Sequence, residues 1–275
     1  MKEEKHMTHL TKQGTALITG ASGGIGAVYA RRLAERGYDL ILVARNEAKL
    51  AALAAELRSE TGRHVAVLPA DLRDRAQLAK VESTLRDDPD ITLFVNNAGA
   101  VSITPLLSSD IRKMEEIIDL NVTAFTRLIY AVVPAFASRG AGTIVNIASV
   151  VGVSPETLNG VYGASKAYVI ALSQSLQHEL AGKGVRVQAV LPGATATDAW
   201  ENAGLHYSKL PAGIVMSTQD MVDAALAGLE QGELVTIPPL QDGAEWTAFE
   251  AARRTLSQHF GNSRPAARYG GNPAT

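Results

Sequence analysis

Thr15-Ala-Leu-Ile-Thr19-Gly20-Ala-Ser22-Gly23-Gly24-Ile25-Gly26 is the stretch on which the architecture turns. Its first five residues have the make-up of a buried strand, and a helical pattern runs from Ile25 to about residue 36. Between the two, glycines permit a tight bend and a close backbone approach. The free N–H groups at the start of that helix offer a seat to a pyrophosphate. The spacing is G-x-x-x-G-x-G over Gly20, Gly24 and Gly26, with no G-K-[ST] ending of the nucleoside triphosphate type.

The same alternation repeats outward along the chain. Short apolar runs at 15–19, 40–43, 65–68, 91–95, 143–147, 185–190 and 234–237 read as strands. Helical patterns fill roughly 25–36, 46–59, 74–86, 108–138, 159–182, 219–230 and 244–258, with Gly37 in a helix-stop position. The strand runs are nearly continuous in apolar residues, as expected when both faces of a parallel sheet are covered. This predicts an α/β fold: a single doubly wound Rossmann-type domain with a seven-stranded, mostly parallel sheet flanked by helices. Within residues 1–275 the expected organisation is an N-terminal extension over 1–12 and a dinucleotide-binding and catalytic core over 13–197. An irregular excursion follows over 198–216, then the last strand and C-terminal helices over 217–260, and a loose Gly/Pro/Ala/Asn-rich tail over 261–275.

Composition narrows the function. With 26 Lys and Arg against 28 Asp and Glu the net charge is −2, and no basic block supports a nucleic-acid groove or a membrane-surface patch. No uninterrupted apolar run approaches the roughly 18 residues that span a bilayer, and the charged start Met1-Lys-Glu-Glu-Lys-His6 lacks the apolar core of a secretory signal. Zero cysteines exclude a disulfide framework, a thiolate nucleophile and a cysteine metal site, and fit a reducing cytoplasm. His178-Glu179 lacks the second histidine of a zinc motif, and Asp87-Asp88-Pro89-Asp90 lacks the glycine and distal glutamate of a calcium loop. No metal is expected.

In an open parallel sheet, ligands bind beyond the carboxyl ends of the strands. Arg45 follows the second strand, where an acidic residue would select NAD, and its guanidinium suits the 2′-phosphate of NADP. Asp71-Leu72 follows the third, its carboxylate suited to an adenine amino group or to capping the next helix. Asn96-Asn97-Ala98-Gly99 follows the fourth, Ser149 the fifth, and Pro192-Gly193 with Thr195 and Thr197 the sixth. Tyr162 and Lys166 are one helical turn apart, with Ser149 thirteen residues upstream of the tyrosine. A lysine ammonium near a phenol favours the phenolate, and serine adds a neutral hydrogen bond. Together they can move a proton on or off a carbonyl or alcohol oxygen.

From about Thr15 to Thr197 the chain resembles the short-chain dehydrogenase/reductase family, in its short single-domain, NADP(H)-preferring branch. The motifs that carry the resemblance are Thr19-Gly20-x-x-x-Gly24-x-Gly26, Asn96-Asn97-Ala98-Gly99, Ser149, Tyr162-x-x-x-Lys166 and Pro192-Gly193. It implies Tyr162 as general acid/base, Ser149 orienting the substrate oxygen, and Lys166 lowering the tyrosine pKa and bonding the nicotinamide ribose. It also implies that Asn121 holds a proton-relay water. The implied cofactor contacts are Gly20, Ser22, Gly24, Ile25, Gly26, Arg45, Asp71, Leu72, Asn97, Ala98, Gly99, Tyr162, Lys166, Pro192, Gly193, Thr195 and Thr197. The implied partners are a small carbonyl or alcohol substrate and further copies of the chain, as a homodimer or homotetramer paired through the long helices. The 198–216 excursion becomes a substrate lid. A 3-oxoacyl thioester reductase and a non-catalytic NADPH-sensing protein are the alternatives this pattern leaves.

Overall fold

A computed structural model describes residues 13–269, so the expected extension over 1–12 and the last six residues of the expected tail lie outside it. Among the described residues, β1 (Thr15–Thr19), β2 (Asp39–Ala44), β3 (Val65–Pro69), β4 (Ile91–Asn96), β5 (Gly142–Ile147), β6 (Val185–Val190) and β7 (Val235–Thr236) form one sheet. Its order is β3-β2-β1-β4-β5-β6-β7. All neighbouring pairs run parallel, so the expected "mostly parallel" sheet is wholly so. The chain starts in the middle of the sheet, winds outward to β3, then crosses back to β4. That reversal between β1 and β4 opens a crevice at the carboxyl ends of the strands.

The strands are buried on both sides, and successive residues feed opposite faces. From β1, Leu17 joins a cluster with Phe94, Leu85, Phe125, Val132, Phe136 and Val169, while Ala16 and Ile18 join another with Tyr29, Leu33, Leu50 and Met221. The first cluster is closed by α3 (Arg75–Asp87), α5 (Phe125–Arg139) and α6 (Gly160–Glu179). The second is closed by α1 (Gly24–Glu35), α2 (Glu47–Thr61) and α8 (Thr218–Gln231). Each fully buried Leu or Phe among them stabilises the fold by roughly 1.5–3 kcal/mol.

Local chemistry fixes where helices start. The Asn46 side chain accepts the Lys49 N–H at 2.9 Å to begin α2, and Asp74 accepts the Gln77 N–H at 2.9 Å to begin α3. Asp71, one of the two readings of which was a helix cap, does not cap α3. The helix expected over 108–138 begins instead at Ile111, where Asp110 caps α4 (Ile111–Ile118) through the Arg112 N–H at 3.0 Å. Residues Asp119–Ala124 then form a π-helical segment before α5 continues to Arg139. The continuous helix Ile111–Arg139 is long and apolar enough, by length and composition, to cross a membrane. Its buried side, with Phe125, Leu128, Val132 and Phe136, belongs to the sheet's core.

The 198–216 excursion holds more order than its sequence suggested: α7 (Ala199–Asn202) and single 3₁₀ turns at Tyr207–Lys209 and Ala212–Ile214. Its two ends are tied together. The Ala196 N–H donates to Met216 O at 3.0 Å and the Met216 N–H to Ala194 O at 2.9 Å, forming a parallel bridge between Thr195 and Met216.

Packing divides the chain into two compact units, one ending at Pro239 and a second, Leu240–Thr275. The described part of the second consists of α9 (Gly243–Ser257), capped by Asp242, with Trp246 and Phe249 stacked 5.2 Å apart, followed by a 3₁₀ turn at Ala267–Tyr269.

Candidate active site

The glycine turn sits where β1 meets α1. Gly20 has φ 69°, a left-handed conformation that a side chain would strain. A Cβ on Gly26 would overlap the Gly20 carbonyl and stand 2.7 Å from Asn97 Nδ2. α1 carries no side-chain cap and no acidic residue in its first turn, so the leading N–H groups around Gly24, Ile25 and Gly26 face outward with positive partial charge. Nothing lies within 4 Å of the Cβ position on Gly23, which leaves the turn open above. Ser22 flanks this opening, half-buried.

The neighbouring strand ends converge on the same turn. Asn97 binds it from β4: its Nδ2 donates to Thr19 O at 2.8 Å, while the N–H groups of Asn97 and Ala98 both donate to Thr19 Oγ1 at 3.0 Å. Its side-chain nitrogen is therefore committed to the protein. From β6, Thr197 comes within 3.2 Å of the Cβ position on Gly24. Arg45 leaves β2 exposed and, among the described residues, without an ion pair. Asp71 follows β3. Its carboxylate is gripped by Arg73 at 2.9 and 3.2 Å, and this guanidinium holds the carboxyl below its usual range, with a smaller pull from Arg45. Leu72 is buried in the core.

At the other end of the crevice, Tyr162 lies in the first turn of α6 and Lys166 one turn on. The Lys166 Nζ donates to Ile147 O at 2.9 Å, at the tip of β5, and stands 6.0 Å from the Tyr162 ring centroid. Burial lowers the lysine pKa to about 8. Burial also raises the Tyr162 pKa, opposed by a hydrogen bond to the Ser149 side chain. This reverses the sign expected from the lysine, because removing the phenol from water outweighs a cation that far from the ring. Ser149 in turn donates to Pro192 O at 3.3 Å, linking the β5 and β6 loops. Beyond it, Gly193 approaches Pro239, and Thr195 is buried with its hydroxyl on Gly193 O at 3.1 Å.

Asn121 lies in the π segment, a distortion that often accompanies functional residues. Its Oδ1 accepts the Ala100 N–H at 2.8 Å, and its Nδ2 donates to Ala100 O at 2.9 Å and Ser165 Oγ at 3.0 Å. Both amide hydrogens are used, and one lone pair on Oδ1 remains. That oxygen and the Lys166 Nζ lie 3.3 and 3.4 Å from the Cβ position on Gly99, so the missing side chain lets them converge.

Two participants lay beyond the sequence reading. Ser165 donates to Tyr162 O at 2.7 Å while accepting from Asn121, and Asn159 caps α6. The polar residue three positions before Tyr162 was a capping signal visible in the sequence. His206 and Tyr207 stack on each other at 4.4 Å within the excursion, and His206 Nε2 lies 3.3 Å from Glu201.

Residues 14–207 match the family described as short chain dehydrogenase. A short-chain dehydrogenase from Sphingobium yanoikuyae, solved in complex with NADPH, is 49% identical over 92% of this chain and 98% of that one, with a TM-score of 0.89. The bulky-bulky ketone specific alcohol dehydrogenase from Comamonas testosteroni is 44% identical over 94% of this chain and 99% of that one, with a TM-score of 0.87. Sulfoacetaldehyde reductase 2 of Chromohalobacter salexigens is 40% identical over 188 residues, 66% of this chain and 73% of its own length.

Proposed function

Because the chain belongs to the short-chain dehydrogenase/reductase family, we propose that it is an NADPH-dependent reductase of ketones, running also in reverse on the corresponding alcohols. The observation that carries this is the half-buried Tyr162 with Ser149 on its phenol and the buried Lys166 one turn on, in the same crevice as an uncapped, glycine-lined helix start.

The residues present fit the cofactor. The open N–H groups of the Gly20–Gly26 turn suit a pyrophosphate, and Arg45, exposed and without an ion pair among the described residues, suits a 2′-phosphate. Bound there, NADPH supplies a hydride. Everything else is the protein's work. Tyr162 keeps its proton at neutral pH because burial raises its pKa, so it is ready to donate to a carbonyl oxygen that is gaining negative charge. Ser149, beside the phenol, gives that oxygen a second donor by turning its one O–H away from Pro192 O. Lys166, charged below about pH 8, stabilises the phenolate left behind. Asn121 presents its spare Oδ1 lone pair toward the same small space as Lys166, where a water can return the proton.

An apolar ketone suits the surrounding segments, which carry exposed Leu106, Leu107, Val153 and Ile214. The Comamonas testosteroni relative's specificity for bulky-bulky ketones supports that choice. The test is NADPH consumption across bulky aryl ketones, small aldehydes, sulfoacetaldehyde and 3-oxoacyl thioesters. Bulky ketones should give the highest kcat/KM, and Tyr162→Phe should lose about 10²–10⁴-fold in kcat while still binding NADPH. A tyrosine variant that retains a tenth of the wild-type rate would refute the proposed proton donor.

A further inference from the structure

We propose that Asn159 is a positioning residue: it joins the first turn of α6 to the loop after β4, and so sets both where Tyr162 stands and how that loop faces the substrate. This rests on the assignment of Tyr162 as proton donor.

Asn159 precedes α6 and is only 4% exposed. Its Oδ1 accepts two helix-start donors, the Val161 N–H at 2.9 Å and the N–H of Tyr162 itself at 3.3 Å. Its Nδ2 reaches across 55 residues of sequence to donate to Thr104 O at 2.6 Å. An ordinary helix cap needs only an acceptor, which is why Ser, Thr and Asp serve as well as Asn. Asn46, Asp74 and Asp242 cap other helices here with exposed side chains. At position 159 both halves of a buried amide are used, and no other side chain of that length offers an acceptor and a donor together.

The loop that Asn159 holds is pinned twice. At Ala100 both its N–H and its carbonyl are bound by Asn121, and at Thr104 its carbonyl is bound by Asn159. Both pins rise from elements that also carry the catalytic set, the π segment and α6. Beyond the second pin the chain exposes Leu106 and Leu107, 75% and 98% accessible. A change at Asn159 therefore acts in two directions at once. Loss of the acceptor frees the Tyr162 backbone, and loss of the donor frees the loop that bears the two leucines.

The variants Asn159→Ala and Asn159→Ser separate these effects, with Tyr162→Phe as reference. Alanine removes both functions, whereas serine keeps a capping oxygen but cannot reach Thr104. With Asn159→Ala, kcat for a bulky ketone should fall about tenfold or more, as expected for a misplacement near 1 Å. The KM for NADPH should stay within about twofold, since the cofactor groups are untouched. With Asn159→Ser, kcat should recover to within about threefold of wild type while the ketone KM stays raised severalfold. If Asn159→Ala does not fold, Asn159→Ser alone decides through its KM. Wild-type kcat and KM in the variants that fold, measured below their unfolding temperature, would reduce Asn159 to a helix cap and overturn the proposal. Turnover surviving in Tyr162→Phe would instead overturn the assignment on which it rests.

Discussion

Lys166 is an ammonium kept out of water, with one backbone carbonyl, Ile147 O at 2.9 Å, as its partner. Burial lowers its pKa from 10.5 to about 8, which places a working cation at the edge of its charged range. The kcat/KM for ketone reduction should therefore hold through neutral pH and fall tenfold per pH unit above about 8. Tyr162 does not set that limb, because burial moves its own titration upward. A pH–rate profile flat from 7 to 10 would count against Lys166, and Lys166→Arg should remove the limb. Stability responds with the opposite sign. Between about 8 and 10.5 the unfolded lysine holds a proton that the folded one has lost, so this residue's contribution to stability rises with pH across that window. The pairing of Tyr162 with Lys166 was legible because helical periodicity is written in the sequence. Their environment was not: an expected fall in the tyrosine pKa became a rise, since burial is decided by segments distant in the chain. Asp71 shows the same limit, as the Arg73 guanidinium that grips its carboxylate from two residues away was not foreseen.

Strands and most helices could be read from apolar runs and punctuation, with ends shifted by up to three residues. Asp110 moved the start of the long helix to Ile111. The π segment at Asp119–Ala124 could not be foreseen, because nothing in Asp119-Leu-Asn121-Val differs from α-helical sequence. It becomes evident only when Asn121 is seen meeting Ala100, 21 residues earlier. The cap by Asn159 was legible, but its bond to Thr104 and that of Ser165 with Asn121 were not, for the same reason: the partners lie 55 and 44 positions away. The glycine turn is the element most exposed to a test. Gly26→Ala places a methyl group against the Gly20 carbonyl and Asn97 Nδ2, breaking the bracket between β1 and β4. Destabilisation of roughly 1–3 kcal/mol should follow, as for other overpacked sites, with weakened NADPH binding. Denaturant melts and cofactor titration read the two effects, and a variant unchanged in both would show that the turn yields easily.

At the scale of the molecule, the sheet order places every strand end that carries unusual residues along one rim, with the β1/β4 reversal at its centre. Six such ends in a row make the architecture legible in the sequence alone. A ligand that binds only the folded chain raises its melting temperature by mass action. NADPH at a hundredfold excess over its Kd adds about 2.7 kcal/mol, or roughly 5 °C or more for a protein of this size. NADH at the same concentration should shift Tm less, and Arg45→Asp should erase the difference; equal shifts in the wild type would remove the phosphate role of Arg45. The tie between Thr195 and Met216 has a further consequence. The excursion enters and leaves the sheet's rim at a single clamped point, so its interior carries little of the strand register. Sequence between the two feet can be exchanged or lengthened at a closure cost that grows only with the logarithm of its length. Under the proposed function, with the excursion as substrate lid, substrate choice thus becomes a replaceable cassette, free to diverge while hydride chemistry and sheet stay constant.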